Sequence, residues 1–509
     1  GEAEPVKTHQ RESPQDEIVE RGNGGGRAQS VSGGEVRRLA FRLLGTGAVA
    51  ALSIGAVIYG TAYGRGHAAA PDIAGVAGSP LFFLGLTAAF GASILAARLV
   101  ESGTAGRSGA AFAVVIGVAA ALRIIALPAT PGLSDDIYRY LWDGHVQAAG
   151  INPYLHAPAA PQLDPLATAY RDRINNPELP TIYPPVSQMV FLAASLAGGS
   201  VVAMKGLLCL IDMGTILTLA AILRRRGMAP SRVVIYAWSP LAILEVGWNG
   251  HQDAAGVLLL TLAVLGIEAG RGGLSMAAGA LSGAAKYIGW LVLPCAARRS
   301  KGRARLWWIA APAAAAIAWL PYAGAGWKVL GSLGVYAEQW RFNDSLFAVL
   351  LRAVETLGLP GLARTAIAAA GLGGTALVRF AGPLWLAKGI AAALFVAFAV
   401  RVLRRGWEDP LRHLLALVGA ALLLSPTLHP WYLLWIVPLM AIVPRVSWLW
   451  LSWAILVCSY PMMALKLAGL PPAGWLGWVE YVPFFVMLAV ESARRRLWEA
   501  DGGGWVRTV

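Results

Sequence analysis

Two adjacent carboxylates, Asp135 and Asp136, open the run SDDIYRYLWDGHVQAAGINPY at 134–154. They follow an apolar segment of membrane-spanning character (109–127) and a short turn with Pro128 and Pro131. A carboxylate at such an edge can take a proton from a reacting hydroxyl. Ser134 is expected to cap a new helix, with both acids in its first turn, where the positive helix end favours negative charge. On that helix Asp136, Tyr140, Asp143 and Gln147 share one face, and Tyr138 and Trp142 are a further pair four apart. Gly150 ends the helix, and Asn152-Pro153 turns the chain. The bland alternative is a capped surface helix with solvated acids.

The other polar clusters weigh against it. WNGHQD (248–253) carries Asn249, His251, Gln252 and Asp253 between apolar runs. Lys286 sits between Ala284-Ala285 and Tyr287. YAEQWRFNDS (336–345) carries Glu338, Arg341, Asn343 and Asp344, and LHPWY (428–432) carries His429. Ionisable groups at membrane depth are costly and tend to be functional. Each has a plainer reading. His251 and Asp253 could cap a helix, Lys286 could hold two half-helices by an ion pair, and Arg341 could form a loop salt bridge. His429-Pro430-Trp431-Tyr432 could be an interfacial turn with aromatic anchors. The chemical alternative is that Lys286, Arg341 and His429 meet a phosphate. His251 and Asp253 alone are too few ligands for a metal site.

These groups need a scaffold, and composition says which. Of 509 residues 57% are hydrophobic and 14% charged, against roughly a quarter charged in soluble domains. Apolar runs long enough to span a bilayer recur, so the chain is an all-α, polytopic membrane protein. The net charge of +14 sits in short Lys/Arg clusters between apolar runs. That is the positive-inside pattern and excludes nucleic acid as the partner. Cys209, Cys295 and Cys458 lie in apolar segments and imply no disulfide framework.

Residues 1–36 lack apolar periodicity and read as a disordered cytoplasmic tail. No cleavable signal is apparent. Spans are expected near 43–63 and 79–97, a hairpin within 37–108. Next come 109–127, 201–223, 231–247 and 253–269. Two half-helices over 274–297 place Lys286 at their tip, and 306–322 completes a module over 109–322. The C-terminal part, 384–509, holds 384–403, 411–427, 431–444, 447–466 and 480–493. That makes about fourteen crossings by length, both termini inside. The long segments 128–200 and 323–383 then lie outside, the first with an interfacial helix over 186–198. All the polar clusters fall on that side, where one shared cavity accounts for them.

As a set, SDDIYRYLWDG, GINPY, NNPELPTIYPP, GHQDA, RFNDSL and HPWYLLWIVPL resemble the GT-C superfamily of polytopic glycosyltransferases, and bacterial mannosyltransferase-like members above all. The resemblance covers roughly 109–465 and leaves the first two spans as an addition to the common core. It implies a polyprenyl-phosphate-linked sugar as donor, a cell-envelope glycan or glycolipid as acceptor, and an active site on the outer face of the plasma membrane. It implies a base at Asp135 or Asp136, with Asp136 favoured by the spacing of DIYRY. Similar members carry Asn-Asp where this chain has Gln252-Asp253. Tyr138, Tyr183, Asn249, His251, Asp253 and Asn343 become candidate substrate contacts. Lys286, Arg341 and His429 become candidates for the donor phosphate. Many members need no cofactor, although so close an acid pair could hold a divalent cation.

Inverting displacement at the anomeric carbon suits these residue types: a carboxylate takes the proton and cations meet the leaving phosphate. Two rivals use the same cavity. A transporter or flippase for a lipid-linked glycan would bind without reacting, and would carry paired, broken repeats that this chain lacks. A non-catalytic assembly partner would not need the acid pair.

Overall fold

The computed structural model describes Gly1 and residues 32–61, 73–299, 308–406, 409–471 and 473–500. Most of the expected N-terminal tail, and the start of the span expected at 306–322, lie outside these residues. Among the described residues every named element is helical, and one isolated bridge pairs Phe342 with Thr427.

Local sequence sets the helix starts. Ser32 and Glu35 form a capping box at the head of α1 (Gly33–Gly55), each satisfying a donor the helix leaves free. Ser79 and Pro80 start α2 (Pro80–Glu101), and Ser108 caps α3 (Gly109–Ala126). After them come α4 (Asp136–Ala148), α5 (Pro185–Leu196) and α6 (Val201–Arg225). Next are α7 (Asp253–Glu268) and α8 (Gly272–Ala285). The segment 323–383 contains α9 (Ser345–Thr356) and α10 (Leu359–Ala369), and α11 (Pro383–Arg404), α12 (Pro410–Leu424), α13 (Val446–Leu467) and α14 (Gly474–Ala500) follow.

Seven of these are long and apolar enough to cross a membrane: α1 with its π turn to Gly60, α2, α3, α6, α11, α13 and α14 to Arg494. The pair α9–α10, bent by 61°, makes an eighth, broken candidate inside the segment expected to lie wholly outside. The other expected crossings fall on shorter pieces. The span expected at 231–247 is a chain of 3-10, α and π turns over Pro230–Trp248, interrupted at Ser239-Pro240. The one expected at 431–444 is a 3-10 turn, Pro430–Trp435, and a four-residue helix, Val437–Met440. Prolines there lack the N–H a continuous helix needs. The break expected at Lys286 is present: α8 ends at Ala285, Lys286 is extended, and a 3-10 turn, Tyr287–Val292, follows.

The core is one large cluster running from α1 to the head of α14. A smaller one joins α9 to α11. Helix α7 separates two polar regions, Asp253 standing at its first residue and Glu268 at its last. Glu268 and Asp409 both bind Arg226, at 2.7 and 2.8 Å. The end marked by basic clusters is thus a helix length, about 24 Å, from Asp253.

Candidate active site

Asp135 and Asp136 are carried on a loop clamped from below. Buried Lys205, on α6, donates to the carbonyls of Ala126 (2.9 Å) and Ala129 (2.6 Å) at the end of α3. A donor there satisfies carbonyls that the helix end leaves free. Arg123 pairs with Asp212 at 2.6 Å, both buried, and joins α3 to α6. Trp248 Nε1 donates to Thr130 O (2.7 Å), and the Leu133 N–H donates to Asn249 Oδ1 (3.2 Å).

The helix after the loop starts one residue later than expected. Asp136 is the first residue of α4 and Asp135 its N-cap position; neither Ser134 nor Asp135 makes a conventional cap. Ser134 Oγ accepts instead from the Asp136 N–H at 3.3 Å. Gly150, at φ 80°, closes the other end. A left-handed residue there is best a glycine. Gly144 lets α4 lie against α5, since a Cβ would stand 2.2 Å from Phe191 O. Gly250, at φ 75°, does the same for the turn 249–252, where a Cβ would meet Ile137 at 2.6 Å.

Asn175, in NNPELP, donates from Nδ2 to Asp135 Oδ1 and to Asp136 Oδ1, 2.8 Å each. Tyr140 OH lies 3.5 Å from Asp136 Oδ2, as the shared face requires. The Asp136 side chain is 21% exposed. Burial, then the charge of Asp135, pushes its carboxyl up to about 6, while Asn175 and Lys286 oppose the rise. Burial also raises Asp135, against the Asn175 hydrogen bond.

The turn 249–252 places His251 behind Asp136. His251 Nδ1 is 3.8 Å from Asp136 Oδ2, and its Nε2 is 3.3 Å from Glu245 Oε2. Glu245, in the π turn Ile243–Trp248, accepts from Tyr460 OH (2.8 and 2.9 Å) and Asn249 Nδ2 (3.2 Å). His251 is fully buried, and burial holds its ring well below the ordinary histidine range.

Lys286 forms the ion pair that the plainer reading named. Its Nζ is 2.6 Å from Asp253 Oδ1, which also accepts from Trp435 Nε1 at 2.6 Å. Its ammonium lies 3.9 Å from the Tyr432 ring centre, and its side chain keeps 24% exposure. An ammonium has three donors, so the pairing leaves capacity for an anion.

Behind Lys286 four rings are stacked. Phe342 lies on His429 (4.9 Å between centroids), His429 on Trp431 (4.3 Å), and Trp431 on His251 (3.9 Å). The bridge at Phe342–Thr427 sets the stack, through Phe342 N–H to Pro426 O (3.1 Å) and Leu428 N–H to Phe342 O (2.9 Å). Burial, then Lys286, brings His429 down to about 3, so the ring is neutral.

Other sequence candidates sit around this centre. Tyr183 packs edge-on against Tyr140 at 5.0 Å. Tyr138 is buried under Arg173, which donates to its hydroxyl at 3.2 Å. The Asn249 side chain is bonded to Glu245 and Leu133. Asn343 donates to Ser459 Oγ (2.7 Å) and Glu480 Oε1 (2.8 Å). Arg341 is 44% exposed and paired with Asp344, as a loop salt bridge would be. Gln252 Oε1 accepts from Ser187 Oγ at 2.5 Å. Asn175, Glu245 and Tyr460 were not singled out by the sequence. Among the described residues no three His, Cys, Asp or Glu side chains are grouped to hold a metal ion, and all three cysteines are free and buried.

A polytopic all-α membrane protein with an acid pair and a half-buried cation fits the class of membrane glycosyltransferases. Residues 42–300 match the family model for the alpha-(1->6)-mannopyranosyltransferase N-terminal domain, and the chain belongs to that mannosyltransferase family. The match takes in α1 from residue 42 and all of α2, the part expected as an addition to the core, and so places it within the family's domain. None of the curated proteins compared matches the chain.

Proposed function

We propose that this protein moves a mannose from a polyprenyl-phosphate-linked donor to a cell-envelope glycan or glycolipid. The reaction takes place at the outer face of the plasma membrane, with both termini cytoplasmic. The observation that carries the reading is Asp136: a partly exposed carboxylate, raised to about 6, with Lys286 near enough to act on its charge.

The acceptor hydroxyl attacks the anomeric carbon as the bond from that carbon to the phosphate oxygen breaks. Asp136 takes the hydroxyl proton, and a base poised near the working pH does this best. The electron pair of the broken bond leaves with the phosphate. Lys286 meets that charge with the ammonium protons not held by Asp253. Neutral His429 lies against Tyr432, ring centroids 5.5 Å apart, and so borders the same place. One displacement inverts the anomeric centre and calls for no enzyme nucleophile. No metal is part of the reading.

The test is purified protein with a polyprenyl-phosphate mannose donor and membrane-extract acceptor, followed by mass analysis. A product one hexose heavier supports the reading. Tight donor binding without product overturns it.

A further inference from the structure

His251 stands between two carboxylates, and the chemistry proposed for Asp136 uses only one of them. Its Nδ1 faces Asp136 at 3.8 Å and its Nε2 faces Glu245 at 3.3 Å. Neither ring nitrogen makes a hydrogen bond among the described residues, although both are buried. An imidazole with two buried, unbonded nitrogens calls for an explanation.

The surroundings of Glu245 supply one. Two of its neighbours donate to it, the Tyr460 hydroxyl and the Asn249 amide, and the His251 Nε2 stands 3.3 Å away. An ionised carboxylate only accepts, so this shell suits the carboxylate. With Glu245 ionised, His251 holds its proton on Nε2 and turns a lone pair on Nδ1 toward Asp136. The Trp431 ring, stacked 3.9 Å away, fixes the imidazole plane.

Resting on the reading of Asp136 as base, we propose that His251 and Glu245 form a proton relay behind it. Asp136 takes the acceptor proton, its carboxyl closes the 3.8 Å gap to hydrogen-bond distance and passes the proton to His251 Nδ1, and His251 releases its Nε2 proton to Glu245 Oε2. The ring ends as the other neutral tautomer, Asp136 is again a carboxylate, and Glu245 is protonated. No oxidant or co-reactant is required. Once product leaves, the proton returns by the same route to Asp136 and to water. Glu245 therefore acts through His251, as a positioning and proton-storing residue, and does not touch substrate.

The charged and titratable groups around the relay are Asp135, Asp253, Lys286, His429, Tyr140 and Tyr460. Removing the charge of Glu245 should lower the proton affinity of the Asp136–His251 pair.

The test compares wild type, Glu245→Gln, Glu245→Asp and Asp136→Asn as full-length detergent-purified protein, with polyprenyl-phosphate mannose as the donor. Glu245→Gln should cut kcat about tenfold or more, leave donor KM within about twofold, and move the acid limb of kcat/KM to lower pH. Glu245→Asp should restore part of kcat and return the limb toward its wild-type position. If Glu245→Gln loses kcat with the limb unmoved, or keeps full kcat, the relay is wrong. If Glu245→Gln fails to fold, Glu245→Asp decides through its split of kcat from KM: the relay lowers kcat and leaves donor KM within about twofold, and full kcat in Glu245→Asp overturns it. Full activity in Asp136→Asn would instead overturn the base reading itself.

Discussion

Asn175 binds Asp135 and Asp136 through one amide nitrogen, 2.8 Å from an oxygen of each. The two acids are adjacent, and adjacent helical positions diverge by about 100°. A single donor from the facing loop draws the two carboxylates toward one point. It also opposes the rise in proton affinity that burial imposes on both.

Replacing that donor should raise the proton affinity of the pair. Asn175→Asp would put a third carboxylate against them, where like charges disfavour ionisation. Turnover at pH 7 should fall about tenfold or more and recover partly as pH rises. Asn175→Ala should fall less. Equal activity of Asn175→Asp and wild type across pH 6–9 would refute this account.

A base at about 6 gives a defined acid limb. Below that pH Asp136 is protonated and cannot accept, so kcat/KM should drop about tenfold per pH unit. The stability sign is opposite. The folded-state value lies above the unfolded one, so the folded protein holds the extra proton between about 4 and 6. The stability this gives is complete below the unfolded value and is lost as pH rises through 6. Asp136→Asn should therefore melt higher than wild type at pH 8 and no higher at pH 4. A lower melting point at pH 8 would contradict the raised value.

Lys286 is held by Asp253 at 2.6 Å, so its role separates from its pairing. Lys286→Ala should weaken binding of a polyprenyl-phosphate sugar and leave acceptor binding nearly unchanged. It also strands Asp253 in a buried place, at a cost to stability. Combining Lys286→Ala with Asp253→Asn relieves that cost, and should restore the melting point without restoring donor affinity. Recovery of both would make Lys286 a structural cation only.

Topology can be read on intact cells. Glu178 is exposed in the loop that bears Asn175, and Arg225 is exposed at the end of α6. Glu178→Cys should react with an impermeant thiol reagent and Arg225→Cys should not. Asn343 is a poor reporter because its side chain is bonded to Ser459 and Glu480. Labelling of Arg225→Cys alone would reverse the orientation, and equal labelling of the two would refute the assignment.

How much of this is legible in the chain depends on the kind of signal. Asp135 and Asp136 stand out because two charges follow an apolar run, and Lys286 because its neighbours are apolar. The all-helical class follows from the same runs. Glu245 and Tyr460 are single polar groups inside apolar stretches, and their pairing spans 215 residues of sequence. Nothing local announces it. Asn175 reads as a loop residue because the Asn176-Pro177 pair after it favours turns. The span count fails at Ser239-Pro240 and at Pro430 and Pro438 for another reason. Hydropathy counts apolar residues whether or not their backbone forms one continuous helix. Arg341 shows the reverse case, since an acid three residues on is enough to read its salt bridge.

The last prediction separates the two acids. Asp136 has one oxygen on Asn175 and the other toward Tyr140 and His251. Asp135 is held by Asn175 at the N-cap position of α4, where a carboxylate is favoured. Asp136 is thus placed between the open edge of the site and a histidine, and Asp135 is placed to hold the loop. Asparagine has nearly the shape of the carboxylate but cannot serve as the base. Asp136→Asn should cut kcat by about 10²-fold or more with donor affinity intact, the usual scale for lost acid–base catalysis. Asp135→Asn should cost less, and should lower the pKa of the acid limb, because the charge that raises Asp136 is gone. Reversed magnitudes would exchange the two roles. If neither change slows turnover, the pair is not the base, and a binding or transport role takes its place.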